Sequence, residues 1–146
     1  MCIFQLLDLK KGFSLPLWVV ASAKAAVKKL LDLPFENYEF IKIPDSNDFK
    51  KIKVHSVAFI KENDAALAIT FAKSGLDLDL TNNLEIWVVA SFVKINNLEN
   101  CIKSKIDLVP GYGVGIDSNS EKICISDFAK KIIEVNLSEI IPEGFK

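Results

Sequence analysis

Two carboxylates and a threonine between Ser74 and Asn83 are the residues best suited to chemistry. Asp77 and Asp79 stand two positions apart, and Thr81 follows them with two asparagines. In an extended segment, side chains at this spacing point to the same side. The pair could therefore hold Mg²⁺ or Ca²⁺, or accept hydrogen bonds from a ligand, although an EF-hand loop would need a glycine that is missing here. Taken alone, the segment favours a solvated loop before the next strand, and Asp77 or Asp79 could also cap a helical turn.

Three of the six glycines occur within five residues, as Gly111, Gly113 and Gly115. Glycine lets the backbone adopt positive φ and lets another backbone or a ligand come close. The spacing excludes a dinucleotide-binding fingerprint, because Ile116 stands where the third glycine is needed and a turn follows instead of a helix. No Gly-Lys-Ser/Thr exists for a Walker loop. The spacing favours a tight turn between two strands, with a ligand-binding loop as the alternative.

The charged residues limit which ligands the chain can bind. All 18 basic residues are lysines, and the net charge is −1. Without arginine there is no bidentate fork for carboxylates or phosphates, so an anionic ligand must be met by lysine, backbone N–H groups or helix termini. The near-neutral balance gives no indication of a nucleic-acid or membrane partner.

Cysteine and histidine usage narrows the chemistry further. Cys2, Cys101 and Cys124 are far apart and form no Cys-x-x-Cys pair, so we predict neither a zinc site nor a disulfide framework, and no metal site. A reducing, cytoplasmic compartment is expected. His55 is the only histidine and alternates with apolar residues, which predicts the solvent side of a strand.

The apolar patterning predicts an α+β fold in a single domain covering residues 1–146, a two-layer sandwich with a mixed or antiparallel sheet. A long helix from about Pro16 to Asp32 should be buried on several sides, with Trp18 in the core. Its apolar run is too short to span a bilayer. A weaker helix covers Phe128–Val135, with Ser126 or Asp127 as its cap. The alternating segments expected to form strands are Tyr38–Ile43, Lys51–Ile60, Ala66–Ala72, Leu84–Ile95, Ile106–Val109 and Lys122–Ile125.

Three motifs, which follow one another along the chain in the family's own order, resemble the N-terminal part of the cobalt-precorrin-5B C(1)-methyltransferases, the CbiD family of anaerobic cobalamin biosynthesis. The segment Ser74–Ile86 is similar to the family's acidic Asp-Asp-Pro-Asp-Val-Thr segment, and Gly111–Gly115 is similar to its Gly-x-Gly-Val-Gly turn. The family's opening glycine- and alanine-rich motif is matched by Gly12, Phe13, Ser14, Ala21, Ala23, Lys24, Ala25 and Ala26.

The chain departs from the family pattern at three places. Leu15-Pro16-Leu17-Trp18 replaces the family's Thr-Gly-x-Cys, so a ligand-facing helix start is expected to have become core. Asp117-Ser118-Asn119-Ser120 replaces Thr-Lys-Pro-Gly after the glycine turn. Asn136 is all that matches the family's Asn-Pro-x-Pro-Arg.

The resemblance implies a part of the enzyme that methylates the cobalt-precorrin ring at C-1, with a corrinoid as substrate. The full family enzyme is expected to use S-adenosylmethionine; we expect this chain alone not to bind it, and a separate methyl-donor-binding chain or a homo-oligomer is a possible partner. The alternative is a non-catalytic corrinoid-binding or partner module. The residues expected to face the substrate, from two loops predicted to lie side by side, are Asp77, Asp79, Thr81, Gly111, Gly113 and Gly115.

Overall fold

The computed structural model describes residues 14–60, 64–73, 82–93 and 106–143, and confirms an α+β fold. Two helices accompany two antiparallel sheets, one of two strands and one of three in the order β3-β4-β5. The elements are α1 (Leu15–Leu30), β1 (Tyr38–Lys42), β2 (Phe49–Lys53), β3 (Ser56–Ile60), β4 (Ala65–Phe71), β5 (Glu85–Ser91) and α2 (Asp127–Leu137).

Helix α1 lies at the centre of the fold and contacts both sheets and α2. Pro16 stands in its first turn, where the missing N–H costs no hydrogen bond. Lys28 and Lys29 occupy its last turn, where positive charge interacts favourably with the helix dipole. Trp18 and Val20 are buried among the core residues. The predictions of a helix buried on several sides and of a buried Trp18 are therefore confirmed.

Small residues let α1 approach the three-stranded sheet closely. Ala66 and Ala68 of β4 are fully buried. Further along β4, the Thr70 hydroxyl donates to the Trp18 carbonyl oxygen at 3.1 Å and accepts from the Ser22 hydroxyl at 2.9 Å. This buried pair joins helix to strand with each hydroxyl satisfied, as a polar group in an apolar core requires.

The prediction of one strand over Lys51–Ile60 is wrong, because the chain changes direction at Val54 and His55, between β2 and β3. The Val54 N–H donates to the Asn37 carbonyl oxygen, whereas the next N–H, from His55, donates to that of Ile69. Val54 and His55 therefore mark the point where the chain leaves the two-stranded sheet, which contains β2, and enters the three-stranded sheet, which contains β3. His55 is exposed, as predicted, but stands in the connection and not in a strand.

Two further strand predictions are wrong. Residues 106–109 form no strand, and in 122–125 only an isolated bridge between Ile123 and Ile116 is present. The alternating apolar side chains do not pair in a ladder here. They line a groove against α2 instead, formed by Ile106, Leu108, Ile123, Ile125, Lys130, Ile133 and Glu134. The strand predicted over Leu84–Ile95 is shorter in the structure, as β5, and the last two residues of the predicted range lie outside the described part.

Helix α2 confirms the weaker helix prediction. The Ser126 side chain accepts a hydrogen bond from the Ala129 N–H at 3.2 Å, which caps the first turn. Asn136 then fixes the helix to β1. Its amide oxygen accepts from the Lys42 N–H at 2.8 Å, and its amide nitrogen donates to the Lys42 and Ile132 carbonyl oxygens at 2.9 and 2.8 Å. The side chain thereby pairs with β1 as a neighbouring strand would.

Candidate functional site

The structure describes one of the two loops predicted to bind the substrate. Asp77, Asp79 and Thr81 lie outside the described residues. Gly111, Gly113 and Gly115 are described and exposed. The expectation that the two loops lie beside each other and form one concave edge therefore stays a prediction.

The glycine turn is open towards solvent. The Val114 N–H donates to the Gly111 carbonyl oxygen at 3.2 Å, which closes a tight turn, and Gly113 adopts a φ of +82° that disfavours a side chain. A side chain added at Gly111 or Gly113 would meet no atom within 4 Å. The backbone here is accessible to a ligand. The predicted tight turn is confirmed, but its predicted position between two strands is wrong, because residues 106–110 form no strand and only an isolated bridge at Ile116 follows.

A short hairpin follows the glycines. The Cys124 N–H donates to the Gly115 carbonyl oxygen at 2.9 Å, and the Asp117 N–H donates to that of Lys122 at 2.8 Å. These bonds, with the bridge between Ile116 and Ile123, hold the chain in an antiparallel turn. The glycine turn therefore leads into a hairpin and not into a helix.

Asp117 organises the tip of this hairpin. Its carboxylate accepts hydrogen bonds from the Ser120 N–H at 2.8 Å, the Asn119 N–H at 2.9 Å and the Ser120 hydroxyl at 3.0 Å. These bonds favour the ionised form, so they lower the pKa of Asp117 below its ordinary value. The carboxylate is occupied by its own turn, which gives it a structural role.

The described residues do not fit S-adenosylmethionine or another nucleotide-like cofactor. A common site for such cofactors is a strand that ends in a glycine loop opening a helix, where backbone N–H groups at the helix start face the ligand. The three glycines are followed by the hairpin, and α2 begins only at Asp127. We therefore assign no step to this cofactor in the described part of the chain.

An exposed surface of aromatic and lysine residues covers the outer side of the β1–β2 hairpin. We call it the aromatic–lysine surface, and it consists of Tyr38, Phe40, Lys42, Phe49, Lys51 and Lys53. Phe40 and Phe49 are 51% and 58% exposed. The Lys51 ammonium lies 4.3 Å from the Tyr38 ring centroid, a cation–π distance.

The aromatic–lysine surface was not predicted from the sequence, although a signal for it exists. Alternation within Tyr38–Lys42 and Phe49–Lys53 places aromatic and lysine side chains on one side. That side carries no acidic residue, because Glu39 points inward. The aromatic rings can contact the apolar part of a ligand, and the lysines can bind its negative charge in place of the missing arginines.

Beneath that surface, a partly buried ion pair fixes β1 to α1. The Glu39 side chain is 2% exposed, and its carboxylate lies 2.8 Å from the Lys28 ammonium and 4.0 Å from that of Lys24. The Lys24 ammonium also donates to the Phe40 carbonyl oxygen at 2.8 Å. Burial lowers the pKa of Lys24, and the nearby Glu39 carboxylate partly opposes that effect. Lys24, which matches the family's lysine, is thus a structural anchor.

Two classes of site are not found among the residues that the structure describes. No group of three or more histidine, cysteine, aspartate or glutamate side chains is placed to hold a metal ion. In the same part of the chain, no helix combines the length and the apolar character needed to cross a membrane.

Comparison with known proteins identifies the family. The CbiD family model matches residues 5–146. The chain is 58% identical over 137 residues to the cobalt-precorrin-5B C(1)-methyltransferase of Prochlorococcus marinus subsp. pastoris and 34% identical over 139 residues to that of Prochlorococcus marinus strain SARG. These matches cover 94% and 92% of this chain but only 37% and 36% of the relatives. No solved structure matches. The chain, spanning little more than a third of its relatives' length, belongs to the CbiD family.

Proposed function

We propose that this chain is part of a cobalt-precorrin-5B C(1)-methyltransferase and acts in corrin-ring biosynthesis. The observation that carries the proposal is the family match over residues 5–146, together with relatives of that name at up to 58% identity. The free, exposed Cys124 and the absence of paired cysteine motifs support a reducing, cytoplasmic setting.

The role we propose for the chain is to hold and orient the corrinoid. A corrinoid precursor is a broad ring with apolar faces and carboxylate side chains. Holding such a ring in one orientation, in a site that excludes water, supplies a large part of what an enzyme adds to a group transfer. The described residues offer no fit for the methyl donor, so substrate positioning is the part of the reaction that we assign to them.

We assign the substrate contacts to the two loops. The exposed backbone at Gly111 and Gly113 can donate hydrogen bonds to a carboxylate of the ring, which suits a chain without arginine. Thr81 can donate a hydrogen bond to a ring carboxylate, whereas Asp77 and Asp79 would repel one and are therefore proposed to lie beside a part of the ring that carries no carboxylate. The aromatic–lysine surface is the second location, since its rings and ammonium groups complement the same ligand.

An NMR titration of the ¹⁵N-labelled chain with cobyrinic acid tests this assignment. We expect chemical-shift changes in residues 74–83 and 111–115 together. A corrinoid whose carboxylates are all amidated is the matched control, and it should give smaller changes at the glycines. Changes confined to the aromatic–lysine surface would move the site there, and no change at any residue would refute corrinoid binding.

A growth test distinguishes the proposed function from the alternative, a non-catalytic corrinoid-binding or partner module. A chimera carries this chain in place of the stretch it matches in the relative from Prochlorococcus marinus subsp. pastoris. We expect the chimera to restore growth without added cobalamin to a strain that lacks its own C-1 methyltransferase. A folded chimera that binds cobyrinic acid but supports no growth would favour the non-catalytic module.

A further inference from the structure

The three-stranded sheet has a second apolar side that faces away from α1. Residues alternate along each strand, and the paired residues Leu67 with Val89 and Ile69 with Trp87 lie on that outer side. We call it the outer sheet face, and its apolar residues are Ala58, Ile60, Ala65, Leu67, Ile69, Phe71, Trp87 and Val89. Its polar residues, Ser56, Glu85 and Ser91, stand at the ends of β3 and β5.

The outer sheet face is unlike the solvent side of an ordinary antiparallel sheet. A sheet covered on one side alternates apolar residues inward with polar residues outward. Here the inward side is apolar as well, with Ala66, Ala68 and Ile86 packed beneath α1. Trp87 and Val89 nevertheless remain 62% and 59% exposed. Apolar residues on both sides are typical of a sheet covered by a layer on each side, and a contiguous exposed apolar patch marks an interaction surface.

The chemistry of the face favours a protein layer over the corrinoid. No lysine belongs to the outer sheet face, and the Trp87 ring N–H donates to the Glu85 carboxylate at 3.1 Å. A ring with several carboxylates would be repelled by Glu85 and would find no lysine on the three strands themselves. Aliphatic side chains of β4 and β5 suit the apolar side of another folded element instead.

The length of the relatives indicates which polypeptide covers the outer sheet face. The chain covers only 37% of the relative from Prochlorococcus marinus subsp. pastoris. A CbiD-family protein of that length therefore contains a larger share of polypeptide that the matched stretch does not include. We propose that the outer sheet face is the docking surface for that remaining part of a CbiD-family protein, joined to this chain or supplied as a separate one. The proposal rests on family membership and not on the methylation activity.

Covalent carbene labelling, located by mass spectrometry, tests the proposal. Labelling of Trp87 and Val89 is compared between this chain alone and the chimera described above. We expect strong labelling in the isolated monomer and a several-fold decrease in the chimera. Unchanged labelling in a folded, monomeric chimera would overturn the proposal. So would protection of Trp87 in the isolated chain, either by self-association or by added cobyrinic acid, because a second copy or the ligand would then be the occupant.

A matched pair of variants gives an independent test. Val89→Lys places a charge on the outer sheet face, and Val109→Lys places one at a valine that is 85% exposed elsewhere. Both should leave the thermal unfolding of the isolated chain nearly unchanged. In the chimera, only Val89→Lys should lower the midpoint and restore labelling of Trp87. Equal behaviour of the two variants in the chimera would contradict the proposal.

A chimera that does not fold leaves the proposal testable. The chain is then co-expressed with the remaining part of the relative as a separate polypeptide, and the two are purified through a tag on one of them. Co-purification with protection of Trp87, lost in Val89→Lys, supports the docking surface. Failure to co-purify, with Trp87 labelled as in the isolated chain, overturns it.

Discussion

Replacing Asn136 is expected to detach α2 from β1, because this one side chain makes two hydrogen bonds to β1 and a third within α2. The side chain is 3% exposed, and its partners are both backbone groups of Lys42 and the carbonyl of Ile132. Asn136→Ala removes the three bonds at once. It leaves the Lys42 N–H and C=O without this partner in a partly buried position.

The magnitude follows from those bonds. A typical hydrogen bond contributes about 0.5–1.5 kcal/mol net, and a buried group left without a partner costs about 1–3 kcal/mol. Asn136→Ala should therefore lower the free energy of unfolding by about 2–4 kcal/mol, a large fraction of the roughly 5–15 kcal/mol that holds a typical domain together. Asn136→Asp should cost at least as much. It keeps the acceptor but turns a carboxylate towards two carbonyl oxygens.

Urea unfolding, followed by circular dichroism and tryptophan fluorescence, measures the change in free energy. Asn119→Ala is the matched control, because that asparagine is exposed and contributes only its backbone N–H to the hairpin. The control should change stability by less than about 0.5 kcal/mol, as a surface substitution usually does. If Asn136→Ala costs no more than the control, the inference that this side chain fixes α2 to β1 is wrong.

Three further predictions concern the core, the hairpin and the cofactor. Trp18→Ala should destabilise the isolated chain by about 3–5 kcal/mol, whereas Trp87→Ala should cost only about 0.5 kcal/mol; a loss below about 1 kcal/mol for Trp18→Ala in urea unfolding would contradict its place in the core. The lowered pKa of Asp117 means that its hydrogen bonds persist as the pH falls past the ordinary value of 3.8 and are lost as the pH falls through the lower folded-state value. In an NMR pH titration, the Asn119 and Ser120 amide signals should therefore move only below that ordinary value, and movement centred above it would refute the assignment. Isothermal titration of the isolated chain with S-adenosylmethionine should show no binding, and a dissociation constant in the micromolar range or tighter would show that the chain holds a site after all.

The helices could be predicted from local signals, and the positions of the strands only partly. Pro16, the apolar run after it and the Ser126 cap act within a few residues of their own positions, so the sequence pattern contains them. The change of direction at Val54 and His55 depends on two distant partners, Asn37 just before β1 and Ile69 in β4, which no local alternation specifies. For the same reason the role of Asn136 was not predictable, since its partner Lys42 lies 94 positions away.

The outer sheet face did leave a signal in the sequence. The stretch from Ala65 to Phe71 is apolar at both alternating sets of positions apart from Thr70. A strand of that composition is typical of burial on both sides. The pattern indicates that a second layer is needed. It does not indicate which polypeptide supplies that layer, because the complementary surface belongs to the partner and is not encoded in this strand.

Strand β1 connects the anchors of the core with the aromatic–lysine surface. From α1, Lys28 and Lys24 hold Glu39 on its inner side, and from α2, Asn136 holds the backbone of Lys42. These contacts fix the strand along its length, while Tyr38 and Phe40 stand on its outer side. Of the residues that match the family motifs, Lys24 and Asn136 thus act on the same strand from two helices. Their shared effect is to set where the outer side chains of β1 stand, and the proposed recognition of a rigid ring at this surface would require that fixed geometry.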